Sequence, residues 1–220
     1  MRVLDNVRFI RTSYTTPTAL FTCGTLGSDE KAHDYVLIAG TKWATMNIGA
    51  TEITGTNSYG KYFAWGDTEG QTYSGSWSGG GFSTAPSIGN LEKDAANVLW
   101  GDPWRMPTSA EFQALMNATY WKWDEIDMGY YVYAPQSGDA GKNNNETTNT
   151  YDKSSALLFF PAAGYGDEIS LHHAGTYGNY WSSTLYSSTD AYCLNVGSSD
   201  INPHDSYYRY YGFSVRPVSD

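Results

Sequence analysis

Glycine, serine, threonine and asparagine interrupt this chain every few residues, and the apolar runs between them are short. Such a pattern favours short strands joined by long loops over helices. Two stretches depart from it. Over residues 91–99 the apolar Leu91, Ala95, Val98 and Leu99 share one helical face, with Asn90 available as a cap. Over residues 107–116, Thr108 and Glu111 have capping-box spacing, while Phe112, Leu115, Met116 and Thr119 line one side.

Strands are expected at 34–39, 130–133, 156–160, 191–196 and 212–218, where β-branched and aromatic residues concentrate. Residues 66–89 and 135–153 are polar loops, longer than a compact domain keeps without a use for them. They are expected to flank or form a surface. The first 40 residues differ in texture from the rest and are assigned to an attachment or accessory segment, leaving 41–220 as the main domain.

With 23 Asp and Glu against 13 Lys and Arg, the net charge of -10 repels phosphate backbones, and no basic cluster offsets it. Nucleic acid is excluded as a partner. No apolar run of about 18 residues exists, so direct membrane insertion is not expected, and no signal peptide is visible after Met1. Cys23 and Cys193 are too few and too far apart for a disulfide framework or a paired-cysteine zinc site. His33, His172, His173 and His204 lack metal-binding spacing, and no metal or other cofactor is implied.

A series of motifs in fixed order carries more information. Lys42 to Ala50 is followed by Tyr59 to Asp67, Ala95-Ala96-Asn97, Trp104 to Thr108, Phe159 to Tyr165, Tyr180 to Thr184 and Gly212 to Val218. This succession resembles a paralogous surface-domain family of gut and rumen bacteria. Some of its members are similar to the variable proteins of diversity-generating retroelements. The resemblance implies an α+β, C-type-lectin-like fold related to formylglycine-generating enzymes, in which a twisted mixed or antiparallel sheet and two helices support long loops. It also implies a ligand face diversified by error-prone reverse transcription at template adenines, mostly in asparagine codons.

Such randomised codons never yield Lys, Glu, Gln, Met or Trp. None of these types occurs from Ser182 to Asp220, although the chain holds 7 Lys, 8 Glu, 3 Gln, 5 Met and 8 Trp. Composition alone predicts roughly six in a segment of that length. Within the segment, Trp181 to Thr184, Ala191, Tyr192, Leu194, Val196, Arg209 and Gly212 to Val218 read as structural. The exchangeable, ligand-contacting positions are then Leu185, Tyr186, Ser187, Ser188, Asp190, Cys193, Asn195, Gly197, Asp200, Asn202, His204, Asp205, Tyr207, Tyr208, Tyr210 and Tyr211, with His172, His173, Tyr177 and Asn179 extending the set. Tyrosine adds large contact area and a hydroxyl while freezing only two torsions, and Ser, Asp and Asn supply adaptable hydrogen bonds. Adjacent tyrosines on a strand point to opposite faces, so not all of them can serve one core.

Trp43, Trp65, Trp100, Trp104 and Trp181 sit in apolar contexts and are assigned to the core. Trp77, flanked by Ser and Gly, is assigned to the exposed loops. The expected function is binding without catalysis, to a protein or glycan on a target cell surface, from a phage virion or a bacterial surface. The alternative is a fixed adhesion or carbohydrate-binding module with no diversification. An oxidase would need a fixed pair of thiols, and a calcium-dependent lectin would need an acidic Pro loop and a Trp-Asn-Asp motif. Asn202-Pro203-His204 is the nearest approach to the latter.

Overall fold

A computed structural model describes residues 14–16, 19–26, 32–72, 77, 88, 91–144, 146–167 and 170–220. Among the described residues fifteen short strands are present, and every strand pair is antiparallel. Strands β1 (Tyr14–Thr16), β2 (Ala19–Leu26), β3 (His33–Ile38) and β4 (Thr41–Ala44) lie side by side, and β15 (Val218–Ser219) closes that sheet against β4. The sheet therefore runs across residue 40, and Val36 and Ile38 enter the same core as Trp43 and Val218. A small pair is made by β5 (Lys61–Tyr62) and β6 (Gln71–Thr72), and another by β10 (Tyr165–Asp167) and β11 (Ser170–His172). Two three-stranded sheets complete the set. One holds β7 (Tyr120–Asp124), β8 (Gly129–Tyr133) and β9 (Leu158–Pro161), the other β12 (Tyr177–Leu185), β13 (Asp190–Gly197) and β14 (Asp200–Tyr208).

The α+β, C-type-lectin-like expectation is not met: the described residues are mostly β, 43% strand against 14% helix, and built of several small antiparallel sheets. Part of the reason is local. The first predicted helix splits into a 3-10 turn, Leu91–Lys93, and a helix α1 of only six residues, Ala95–Trp100. Its cap is Asp94, whose Oδ1 accepts from the Ala96 and Asn97 amides and whose Oδ2 accepts from the Met106 amide; Asn90 lies outside the described residues. The second helix, α2 (Ser109–Ala118), forms as its capping box dictates, with Thr108 and Glu111 bonded reciprocally. Phe112 and Leu115 face the core from it.

Residues 212–218, expected as one strand, instead form a seam of single bridges: Gly212 to Gly166, Phe213 to Phe63, Ser214 to Tyr180 and Val218 to Arg105. The seam ties separate sheets together. Arg216 bolts it from inside, donating from Nε to Asn47 Oδ1 (2.8 Å), from Nη1 to the Ala44 and Thr45 carbonyls and from Nη2 to the Phe159 carbonyl (2.8 Å), with its guanidinium 4.4 Å from the Phe160 ring centre. Full burial pulls its pKa down to about 10, so it stays charged at neutral pH, solvated by carbonyl oxygens rather than water.

Two apolar clusters fill the interior around β12–β14. The first contains Trp43, Phe112, Leu115, Trp121, Tyr180, Leu194, Val196 and Ile201; the second contains Phe63, Trp65, Met106, Trp181, Ala191, Cys193, Phe213 and Val215. Trp43, Trp65, Trp104 and Trp181 are closed to solvent, while Trp100 is half-buried and stacks on His33 with ring centres 3.4 Å apart. Trp77 corrects the loop assignment. It is buried, its indole donates to the Tyr210 carbonyl (3.3 Å), and its ring lies flat against Gly166 and Gly212, where side chains would collide with it.

Candidate functional site

The register of β12, β13 and β14 sorts the exchangeable positions by face. Opposed residues form successive rungs: Tyr177, Gly197 and Asp200; then Asn179, Asn195 and Asn202; then Trp181, Cys193 and Asp205; then Leu185, Ala191 and Tyr207. Directly opposed residues project to the same side of a sheet, so these rungs make one face. The opposite face carries Tyr180, Leu194, Val196 and Ile201 into the first apolar cluster. An irregularity in β14 makes the sorting possible. Asn202 opposes Asn195, yet Asp205, three residues on, opposes Cys193 two residues back, so one extra residue is accommodated at Pro203-His204. Proline lacks the N–H that a regular ladder would use, which suits it to that place.

The face is polar along the rung of Asn179, Asn195 and Asn202, buried and apolar at Trp181, Cys193 and Ala191, and aromatic at its two ends. Asn195 Nδ2 donates to Asn179 Oδ1 at 2.8 Å, with Asn179 closed to solvent and Asn195 half-open. Asp205 is half-buried, and burial, reinforced by the charge on Asp200, raises the pKa of its carboxyl. Tyr207 borders it: burial and then the Asp205 charge raise the Tyr207 pKa, with Cys193, Tyr165 and Tyr177 acting in the same direction. Tyr177, 42% exposed, stands at the other end.

An arc of rings joins these ends. Tyr177 meets His173 edge-on (5.5 Å between ring centres), His173 meets Tyr165 (5.7 Å), and Tyr165 meets both His172 (5.5 Å) and Tyr211 (5.5 Å). Tyr211 continues to Tyr207 (6.0 Å) and Tyr210 (4.7 Å), and Tyr210 stacks on Tyr208 (5.5 Å, 10° between planes). The hairpin of β10 and β11, with Tyr165 opposite His172, carries the middle of the arc. Sequence reasoning assigned Tyr165 to a structural motif and missed it. Its spacing from the histidine pair, as two arms of a short hairpin, is the signal that could have placed it.

Not every exchangeable position reaches this site. Cys193 is fully buried in the second apolar cluster, which raises its thiol pKa and removes it from any surface; Gly197 is buried beneath the Tyr177 ring. Leu185, Tyr207 and Tyr211 are half-buried and rest on the same cluster. Ser187 and Asp190 are spent on the β12–β13 turn: Ser187 Oγ donates to Asp190 Oδ2 (2.7 Å) and accepts from the Asp190 amide (3.0 Å), while the Ser188 carbonyl accepts from Arg209. Tyr186 and His204 form a separate patch with Tyr192, whose ring lies 5.0 Å from Tyr186 and 6.0 Å from His204. Tyr192 projects from the face opposite the rungs. The set is thus divided between a main basin, a locked turn and a second small patch.

Residues 142–218 are similar to a domain of unknown function, DUF8237. The matched stretch spans β9 to the start of β15 and so includes the whole rung face, the ring arc and the seam. No curated protein and no solved structure matches the chain. Among the described residues no three His, Cys, Asp or Glu side chains are grouped to share a metal ion, and no helix is long and apolar enough to cross a membrane.

Proposed function

We propose that this chain is a non-catalytic binding protein whose ligand surface is the basin formed by the polar face of β12–β14 and the ring arc of Tyr165, His173, Tyr177, Tyr207, Tyr210 and Tyr211. One observation carries the reading. Tyr177, Asn179, Asn195, Asp200, Asn202, Asp205 and Tyr207, read as exchangeable once family-fixed and core-alternating positions are set aside, share one side of β12–β14, a side that buries Trp181, Cys193 and Ala191 in the second apolar cluster and leaves most of these polar and tyrosine residues at least partly open. The composition of the basin, rigid aromatic rims around amide and carboxylate groups, is that of surfaces that gain affinity without a deep pocket.

On this reading the segment from about residue 172 to 212 is varied by a diversity-generating retroelement, its buried Trp181, Leu194 and Val196 held constant as scaffold. The protein is displayed on a phage virion or a bacterial surface, and its partner is a protein or glycan of a target cell. Sequencing the 3′ end of the gene across a natural population, together with its flanking DNA, tests this. Substitutions confined to the basin positions and aligned with adenines of a nearby template copy are the expected result. A uniform segment with no template and no reverse transcriptase nearby would instead make the chain a fixed adhesion module.

A further inference from the structure

We propose that the basin is selective for cations, and that its occupant is a basic segment of a protein partner presenting Lys or Arg side chains. The inference rests on the reading of this face as the ligand surface and adds the chemistry of what it takes. Three independent features lead there.

The first is charge. No Lys or Arg occurs in residues 154–208, a stretch that holds Asp167, Glu168, Asp190, Asp200 and Asp205. Arg209 follows directly but is buried, its guanidinium 5.3 Å from the Trp65 ring centre. Among the described residues the ion pairs all lie elsewhere, on Asp124, Asp127, Asp139, Glu111 and Asp220, and none involves Asp200 or Asp205.

The second is Asp205 itself. It is half-buried in the rung between Cys193 and the tyrosines, and burial and Asp200 both disfavour its charged form. A carboxylate so placed gains from an incoming cation and is penalised further by an incoming anion. The third is the rings. A cation over a tyrosine face is attracted by the ring quadrupole whether or not the hydroxyl takes part. Tyr165, Tyr177, Tyr207 and Tyr211 are all half-buried or exposed, and each has a carboxylate at hand: Asp205 beside Tyr207, Asp200 in the rung of Tyr177, and Asp167 near Tyr165 and Tyr211. A neutral glycan could stack on the same rings but would draw nothing from the acidic bias, and an anionic ligand would be repelled by it.

The experiment is a titration of the whole protein, with tyrosine rings carrying 13C, at physiological salt. The probes are acetyl-trilysine amide, acetyl-triglutamate amide and cellotriose. Saturable shifts of the Tyr165, Tyr177 and Tyr207 rings with trilysine alone are expected. Asp205→Asn and Tyr177→Ala should each weaken that binding, the latter about two- to thirtyfold, while Tyr165→Phe, which keeps the ring face and loses the hydroxyl, should retain it. Shifts of the same rings with cellotriose but not trilysine overturn the cation preference and leave the basin as a ligand surface. Trilysine shifts scattered over the molecule, or none at any ring, also overturn it, and the population sequencing above then decides separately whether the basin is a varied surface. Loss of trilysine binding in Tyr165→Phe would overturn the role assigned to the ring faces.

Discussion

The Asn195 side-chain amide donates to Oδ1 of Asn179 at 2.8 Å across the β12–β13 pair, and this bond forms the floor of the basin. The two ends are unequal, since Asn179 is closed to water and Asn195 is half-open. Removing a partner from a buried polar group costs more than removing one that water can replace. Asn195→Ala, which leaves the buried Asn179 Oδ1 without its donor, should therefore lower unfolding free energy by about 1–3 kcal/mol, whereas Asn179→Ser, which leaves the half-open Asn195 amide to water, should cost less than about 1 kcal/mol. Urea denaturation with an unchanged m value checks both. Equal losses would mean that the two ends of the bond are equally cut off from water.

Trp181 and Tyr208 are both aromatic residues of the C-terminal sheet with opposite roles. Trp181 is fully buried, stacks on Phe213 with ring centres 4.1 Å apart and donates from Nε1 to the Phe63 carbonyl at 2.8 Å. Tyr208 is 49% exposed. Trp181→Ala should cost about 3–5 kcal/mol, and Tyr208→Ala should stay within about 0.5 kcal/mol. Thermal unfolding of the pair reads the contrast directly. A stability loss in Tyr208→Ala comparable to that in Trp181→Ala would place the ring arc in the core.

Trp77 lies across two glycines that are bridged to each other. A Cβ built at Gly166 would lie 2.6 Å from its ring, and one at Gly212 would lie 2.8 Å away. Neither neighbour can yield cheaply, because the ring is buried and its indole is bonded to Tyr210. Gly212→Ala should destabilise by about 1–3 kcal/mol through overpacking. Pairing it with Trp77→Phe, which leaves a smaller ring, should recover part of the loss in a double-mutant cycle. No recovery would place the strain of Gly212→Ala elsewhere than on that ring.

Much of this arrangement could be read in advance where a local rule governs it. The capping box at Thr108 and Glu111 starts α2, and runs rich in β-branched and aromatic residues mark β3, β8, β9 and β13. The landmark tryptophans at 43, 65, 104 and 181 are core because their apolar surroundings dictate it. What escaped depends on contacts distant in sequence. Residues 212–218 alternate like a strand, but each finds a different partner, so a bridge replaces a ladder. Trp77 has no apolar neighbours in the chain; it is buried with Tyr62, Ala64 and Ala163 and lies against Gly166 and Gly212, all distant in sequence. At the site, alternation alone would set Asn202 and Asp205 on opposite faces. Only the extra residue at Pro203-His204 brings them together, and Cys193, chosen by position in the varied segment, was carried inward by the same register.

Asp205 gives the basin a pH signature. Burial is the main cause of its raised pKa and the Asp200 charge adds to it, while the hydrogen bond from the Ser206 amide opposes them. In the unfolded chain the group returns to about 3.9. Between that value and the raised one, the folded state holds more protons than the unfolded state, so stability declines as pH rises through the window. The contribution is complete below about pH 4 and lost once the folded carboxyl ionises. Asp205→Asn cannot ionise and should escape this decline. The variant should be more stable than the parent at neutral pH, with the difference closing as pH falls towards the ordinary carboxylate range. Unfolding free energies for both proteins across that range check it, and a difference constant with pH would show that the substitution acts through packing rather than through charge. An added cation that binds the basin should shrink the gap at neutral pH by stabilising the parent more than the variant.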